Sequence, residues 1–488
     1  MSLASPPRWA SSHALPMDDS RMDLLASQIA ARVRAGELDP GEVLASFQQR
    51  IAQLNPALNA VVGEPPASLA ADLAALRRRV AADEALPLAG VPVLVKDVIW
   101  VQGQRVTQGS LLFKDFHAPQ DAVAVQRLRQ AGALILGMAN SSEFACKGLT
   151  TNKVYGLTRH PMDPSLTPGG SSGGCASAVA AGLVPLALGT DGGGSSRRPP
   201  AHVGVVGFKP SFGAIPDPIG FAHAFNGLQV IAPITRTVGD AALMFDALAG
   251  ADPRDPQSLD FPATDPRPAR SLKIAYSPRL GLDVPVDADV QAAIESAIAA
   301  LQGAGLDIAR HDPLWPTGAN EDGLMPLQHV GLAHLFAEAW RRDPSQFDPD
   351  IARQIERGLA WSGADVARAR EAGWQIALTL AEFFTRFDLL ICPTTPCVAW
   401  PNDRLGPERI GGVAVEPRGH AVFTPFVNHA MAAAISIPCG TGRDGLPVGL
   451  QLIAARGQDR MLLDAAQAAE QILGPLPFTE RPLCASSS

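Results

Sequence analysis

From Met22 to Asn59 the run MDLLASQIAARVRAGELDPGEVLASFQQRIAQLN places apolar residues three and four positions apart, and a Gly and a Pro divide it. That spacing lines up one face of a helix, so the pattern predicts two amphipathic helices forming an N-terminal helical layer. A third helix is predicted over Ala67 to Ala82. It leads into PLAGVPVLVKDVIW, where β-branched residues after a Gly-Val-Pro turn predict a buried strand interrupted by Lys96. DAVAVQRLRQAG then reads as a helix and ALILGMAN as a short strand, the alternation of a layered α/β protein. A Pro/Gly/Ser-rich segment, HPMDPSLTPGGSSGG, breaks the rhythm. After it come a small-residue helix, CASAVAAG, a strand, LVPLALGTD, and a second glycine run, GGGSSRRPP. Beyond Thr237 alternation resumes through VGDAALMFDALAG, LKIAYS and VQAAIESAIAALQGAG. The segments FDLLICPTTP, AISIPCG and PVGLQLIA read as buried strands able to join one sheet. The Pro- and Asp-rich stretch from Asp252 to Arg270 reads as surface, and no internal repeat is visible. The expected organisation is a tail over residues 1–20 and one domain over 21–484.

Composition narrows the function classes. A chain of 488 residues with 47% hydrophobic and 18% charged positions has ample material for a large core. The net charge of −8 argues against a nucleic-acid partner, whose phosphates demand clustered Lys and Arg. Cys146, Cys175, Cys392, Cys397, Cys439 and Cys484 are scattered with no CxxC pair, which predicts reduced thiols in the cytoplasm and no zinc ribbon. The longest apolar stretch, Cys175 to Gly189, is too short for a membrane span and carries Pro185. The N-terminal residues lack the continuous apolar run of a secretory signal.

The two glycine-rich loops hold the candidate chemistry. Closely approaching backbone N–H groups in such loops bind an anion, either a phosphate or the oxyanion of acyl transfer. Neither loop supplies the GK[ST] of a phosphate-binding loop. Acyl transfer needs a nucleophile, and Ser171, Ser172 and Ser195 compete. Gly170 to Gly174 matches G-x-S-x-G around Ser172, but an α/β-hydrolase elbow follows a strand directly, and here turn residues, DPSLTPG, precede it.

GGSSGGCASAVAAGLVPLALGTDGGGSSRRPPAHVGVVGFKP resembles the signature of the amidase signature family, and LAGVPVLVKDVIWVQG resembles the segment carrying that family's lysine. LRQAGALILGMANSSEF, IAPITRTVGDAALMFDALAG, DLLICPTTP and GLPVGLQLIA resemble further family blocks in order, so the likeness extends from Met22 to near Ile472. The resemblance implies an α/β fold with a large mixed sheet between helices, and a helical layer that often supports homodimers. It places the base on Lys96, the relay serine on Ser171 after a cis Gly170–Ser171 peptide, and the nucleophile on Ser195, 24 residues further on. Gly192, Gly193, Gly194 and Ser195 would offer oxyanion-hole N–H groups. Asp191 and Arg197 would fix the loop as an ion pair, with Ser172 helping by a hydrogen bond. Cys146 borders the acyl pocket of family members, and Arg198 stands where some members bind a substrate carboxylate. No metal or organic cofactor is implied; the partner is a small amide.

The residues support this chemistry independently. A serine hydroxyl is a poor nucleophile until its proton is removed, and no histidine lies close in sequence to either loop. A neutral lysine serves if burial lowers its pKa from about 10.4, and the apolar residues around Lys96 provide that burial. The chain departs from the family at Gly192, where Thr is often found, at Ser196, where an aliphatic residue is usual, and at Val98, where Asn is common. The family also includes the tRNA-dependent amidotransferase component that would pass ammonia to partner proteins. Its glutamine-site pattern is not found in Gly323 to Trp340, which favours a stand-alone amidohydrolase. The loops from Gly213 to Val230 and from Trp315 to Trp374 are expected to set the substrate.

Overall fold

The computed structural model describes residues 20–225, 227–262 and 267–474. Nearly all of the expected tail, residues 1–19, lies outside the described residues, as do residues 475–484 with Cys484. One sheet collects eleven strands in chain order: β1 (Val61–Val62), β2 (Pro92–Lys96), β3 (Leu134–Ala139), β4 (Leu186–Asp191), β5 (Val206–Lys209), β6 (Val230–Thr235), β7 (Lys273–Tyr276), β8 (Asp307–Arg310), β9 (Leu389–Pro393), β10 (Ala433–Thr441) and β11 (Pro447–Ala454). Across the sheet they run β1-β3-β2-β4-β6-β5-β10-β11-β9-β7-β8. β2 is parallel to both β3 and β4, and β7 to both β8 and β9. The remaining pairings are antiparallel, giving a mixed sheet. Every residue of β2, β3, β4 and β6 is buried. Strands covered on both faces read as unbroken apolar runs, which is why these segments show no alternation in the sequence.

Thirteen helices surround the sheet among the described residues: α1 (Ala26–Arg34), α2 (Pro40–Leu58), α3 (Leu69–Ala81), α4 (Val123–Gln130), α5 (Gly173–Ala180), α6 (Arg198–Val203), α7 (Val238–Leu248), α8 (Ala288–Gly303), α9 (Glu321–Arg342), α10 (Pro349–Ala360), α11 (Gly363–Phe383), α12 (Pro425–His429) and α13 (Asp459–Leu473). Local chemistry fixes several starts. Asp39 caps α2 by accepting from the N–H groups of Gly41 and Glu42, with Pro40 at the first helical position. One apolar cluster extends from Met22 in the N-terminal layer to Ala469 in α13, joining both ends of the described chain to the same core.

Two expectations need correction. The segment from Trp315 to Trp374 is not a loop: α9, α10 and the first half of α11 occupy most of it. Asp348 caps α10 through the Asp350 N–H, and Ser362 with Asp365 forms a capping box at α11, signals that are present in the sequence. The strand predicted through Lys96 ends at Lys96. The N–H groups of Val98 and Ile99 both turn back to the Lys96 carbonyl, at 2.7 and 2.9 Å. The buried Asp97 carboxylate fastens this turn by accepting from the N–H groups of Thr107 and Gly109 and from the Thr107 hydroxyl.

Candidate active site

Parallel strands β2 and β4 lie side by side, with Val93, Leu94 and Val95 opposite Leu186, Ala187 and Leu188, and both end at the same edge. The carboxyl ends of parallel strands are where α/β sheets place ligands. Lys96 is the last residue of β2, Thr190 the last but one of β4. The Lys96 ammonium lies 2.8 Å from Ser171 Oγ and 2.9 Å from Thr190 Oγ1. Lys96 is wholly buried, and this desolvation lowers its pKa to about 8, against the opposing pull of Cys175, Asp191 and Cys146.

Ser171 is carried by the turn between β3 and α5, and the Gly170–Ser171 peptide is cis. Hydroxyl groups hold this turn: Thr167 Oγ1 accepts from the Gly169 N–H, while Thr150 Oγ1 donates to the Gly169 carbonyl and accepts from the Gly173 N–H. Glycine is required at 170 because a β-carbon there would lie 2.7 Å from the Lys147 carbonyl oxygen. Ser171 Oγ in turn lies 2.9 Å from Ser195 Oγ. Lys96, Ser171 and Ser195, 99 positions apart in sequence from first to last, therefore form one continuous row of contacts.

The loop after β4 is organised by one carboxylate. Asp191 accepts from the Gly194 N–H at 2.6 Å, from the Ser196 N–H and hydroxyl, and from Nε and Nη2 of Arg197, both at 3.0 Å. Burial alone would raise this carboxyl; the Arg197 guanidinium, with Lys209 and Asn428, overcomes it and holds Asp191 well below the usual carboxylate range. Arg197 is fully buried and satisfied, donating also to the Thr424 carbonyl, Gln451 Oε1 and Asn428 Oδ1. Such a pair costs desolvation on both sides, and its completeness is what makes it tolerable.

Of the four N–H groups expected to face an oxyanion, Gly194 departs: its N–H is committed to Asp191. Among the described residues the N–H groups of Gly192, Gly193 and Ser195 meet no acceptor. A β-carbon at Gly192 would sit 2.8 Å from the Phe225 ring, so that ring lies directly over the loop.

The other candidates are placed as follows. Ser172 is buried and donates to the Thr190 carbonyl at 3.2 Å, outside the row. Cys146 is buried, its thiol turned to the Phe144 carbonyl at 3.1 Å and pushed up by burial; its own carbonyl accepts from Gln328 and Gln354. Arg198 opens α6, is buried, and its Nε lies 3.0 Å from where a β-carbon of Gly194 would stand. Sequence reasoning missed Thr190, Thr424, Asn428 and Gln451. Thr190 stood next to a named residue, and Gln451 is a lone amide within an apolar strand, a visible anomaly; nothing local marks Thr424 or Asn428. Among the described residues no group of three or more His, Cys, Asp or Glu is arranged to hold a metal, and no helix is long and apolar enough to cross a membrane.

This geometry coincides with extensive likeness to known proteins. The sequence profile of the family described as Amidase matches residues 42–463. An acylamidase of Rhodococcus erythropolis is 36% identical over 458 residues, covering 92% of this chain and 95% of that protein. The A-type component of the glutamyl-tRNA(Gln) amidotransferase of Roseiflexus castenholzii is 34% identical over 479 residues, covering 92% and 96%. A solved bacterial aryl acylamidase of the amidase signature family superposes with a TM-score of 0.86 at 29% identity, covering 94% of this chain and 99% of that one. The native peptide amidase of Stenotrophomonas maltophilia superposes at 0.76 with 28% identity, covering 94% and 99%. A mixed sheet of this order, a profile match across most of the chain and relatives matched almost end to end lead to one conclusion: the chain belongs to the amidase signature family, hydrolases of amide carbon–nitrogen bonds.

Proposed function

We propose that the protein hydrolyses small or medium carboxamides through an acyl-enzyme on Ser195, with Ser171 relaying the proton and Lys96 as base. The observation that carries this reading is the buried row Lys96–Ser171–Ser195, with contacts of 2.8 and 2.9 Å. With Lys96 neutral, its amine accepts the Ser171 proton as Ser171 accepts that of Ser195, and Ser195 Oγ attacks the carbonyl carbon. The N–H groups of Gly192, Gly193 and Ser195 are the donors open to the developing oxyanion, and each such donor is worth about 10²–10³ in rate. Collapse of the tetrahedral species expels the nitrogen, protonated through Ser171, as ammonia or an amine. Water then enters, loses a proton along the same row, and releases the carboxylic acid. Thr190 steadies the Lys96 amine from its second side. The described cysteines form no disulfide, which supports a reducing, cytoplasmic setting.

The likeness to A-type amidotransferase components favours a second reading, in which the chain liberates ammonia from glutamine for partner proteins. A panel of alkyl, aryl and peptide amides with glutamine, read by ammonia or amine release from the isolated chain, separates the two. Turnover of simple amides without partners, abolished by Ser195→Ala, supports the stand-alone hydrolase; activity on glutamine alone overturns it.

A further inference from the structure

Gln108 is only 6% exposed, yet its side-chain amide meets no hydrogen-bond partner among the described residues. Buried polar groups are almost always paired, so an amide left open calls for a reason. Its backbone is also left-handed, with a φ of +53°, a conformation that a residue with a β-carbon adopts at a cost. The surroundings enforce it. The Gln108 N–H donates to the Asp97 carbonyl at 2.8 Å, and the Asp97 carboxylate accepts from the N–H groups of Thr107 and Gly109 on either side. The Gln108 carbonyl accepts from the Phe144 N–H at 2.8 Å. Strain held in place this firmly, at a residue whose side chain serves no neighbour, points to work for that side chain.

That side chain lines a cavity of about 10 Å³, room for one water-sized group. Val98, Phe144, Phe225 and Phe336 form its apolar walls, and the Phe144 and Phe336 rings stack with centroids 4.0 Å apart. The walls tie the cavity to the reacting groups. Val98 stands two positions past Lys96, Phe144 opens the segment whose Lys147 carbonyl backs Gly170, and the Phe225 ring lies over Gly192. His223 also reaches the cavity, but both of its nitrogens are engaged, Nε2 at 3.2 Å from Asp217 and Nδ1 at 2.9 Å from Gln229 Nε2. Among the described residues no Lys or Arg lines this space, so nothing there neutralises a carboxylate.

A glutamine amide donates through Nε2 and accepts through Oε1. The group that complements it here is neutral, no larger than a water molecule, and able to donate and accept. A hydroxyl meets each condition; a methyl meets only the size, and a carboxylate brings an unpaired charge. Resting on the amidase reading, we propose that Gln108 is a specificity-determining residue that hydrogen-bonds a hydroxyl group of the substrate, so that hydroxylated amides are preferred to their methyl isosteres.

The test measures kcat/KM for pairs in which a terminal hydroxyl replaces a methyl. On the acyl side these are 3-hydroxypropionamide against butyramide, 4-hydroxybutyramide against pentanamide and 5-hydroxypentanamide against hexanamide. On the amine side the pair is N-(2-hydroxyethyl)acetamide against N-propylacetamide. In wild type at least one pair should favour the hydroxyl by about tenfold or more, since a site built for a hydroxyl rejects the analogue that lacks it. The favoured pair reports which side of the scissile bond reaches Gln108. Gln108→Met keeps the length and loses both hydrogen-bonding groups, and should bring that ratio to about one or below. Gln108→Gly suits the left-handed backbone and should lose the same preference, a second variant should the first fail to fold by circular dichroism. Isothermal titration of the same pairs on Ser195→Ala reads the preference without turnover. Hydroxyl preference in binding, with no ammonia or amine released by wild type, leaves the inference standing and removes the hydrolase reading. Absence of any pair that favours the hydroxyl in turnover or binding, or a preference that survives in either folded Gln108 variant, overturns the inference.

Discussion

The base assigned to Lys96 has a quantitative signature in pH. Burial sets its pKa at about 8, below the ordinary 10.5, so the amine is predominantly neutral only above pH 8. The active fraction falls tenfold for each unit below that value. For a neutral amide that does not itself ionise, kcat/KM at pH 6 should be about 100-fold below the plateau reached near pH 9.5, with a slope of one on logarithmic axes. Stability carries the same signature. The folded pKa lies below the unfolded one, so between them the unfolded chain binds more protons, and stability rises with pH across that window. At about 1.36 kcal/mol per unit, the gain between pH 8 and 10.5 is on the order of 3 kcal/mol. Lys96→Met lacks the titrating amine and should lose both the activity and this rise relative to wild type. Initial rates of ammonia release at constant ionic strength, paired with urea unfolding of wild type and variant, provide the measurements. A level kcat/KM from pH 6 to 9, or a variant retaining a tenth or more of wild-type activity, refutes a buried lysine base.

Three further outcomes follow from the loops around this row. Arg197→Met strips the partner from a fully buried Asp191 and should cost about 3–5 kcal/mol in urea unfolding; a change below about 1 kcal/mol contradicts the role given to the pair. Gly194→Ala places a β-carbon 2.6 Å from Thr424 Cβ at a φ of +120°, so its melting temperature should fall by several degrees. Gly193→Ala, with nothing within 4 Å of the added carbon, should melt like wild type. Ser171→Ala should lower kcat/KM by about 10²–10⁴, whereas Ser172→Ala, which loses only a bond to the Thr190 carbonyl, should stay within about tenfold; the reverse ranking would return the nucleophile role to Ser172.

Much of this architecture was legible because the relevant signals are local. β2, β4, β9 and β11 are short apolar runs bounded by Gly, Pro or charge, and both glycine loops announce themselves by composition. Lys96 was legible as a charge in an apolar run, although the strand's end was not, because the turn is fastened by Asp97 reaching Thr107 and Gly109, contacts that no periodicity encodes. The helices α9 and α10 are harder to read although their caps, Asn320 and Asp348, are written in the sequence, since their apolar positions serve mutual packing as well as the core. The resemblance implies an oxyanion donor in the Gly194 N–H, but the Asp191 carboxylate three residues earlier accepts from it instead, a contact that a glycine run does not announce. Thr424, Asn428 and Gln451 reach the loop from more than 200 positions away and are findable only in three dimensions.

The nucleophile itself is open to direct observation. Rapid acid quench during turnover of an activated aryl amide or ester, followed by peptide mass spectrometry, should show the acyl group on the peptide containing Ser195, attached at Ser195 and missing in Ser195→Ala. An acyl group on Ser172, or undiminished turnover in Ser195→Ala, would contradict the account.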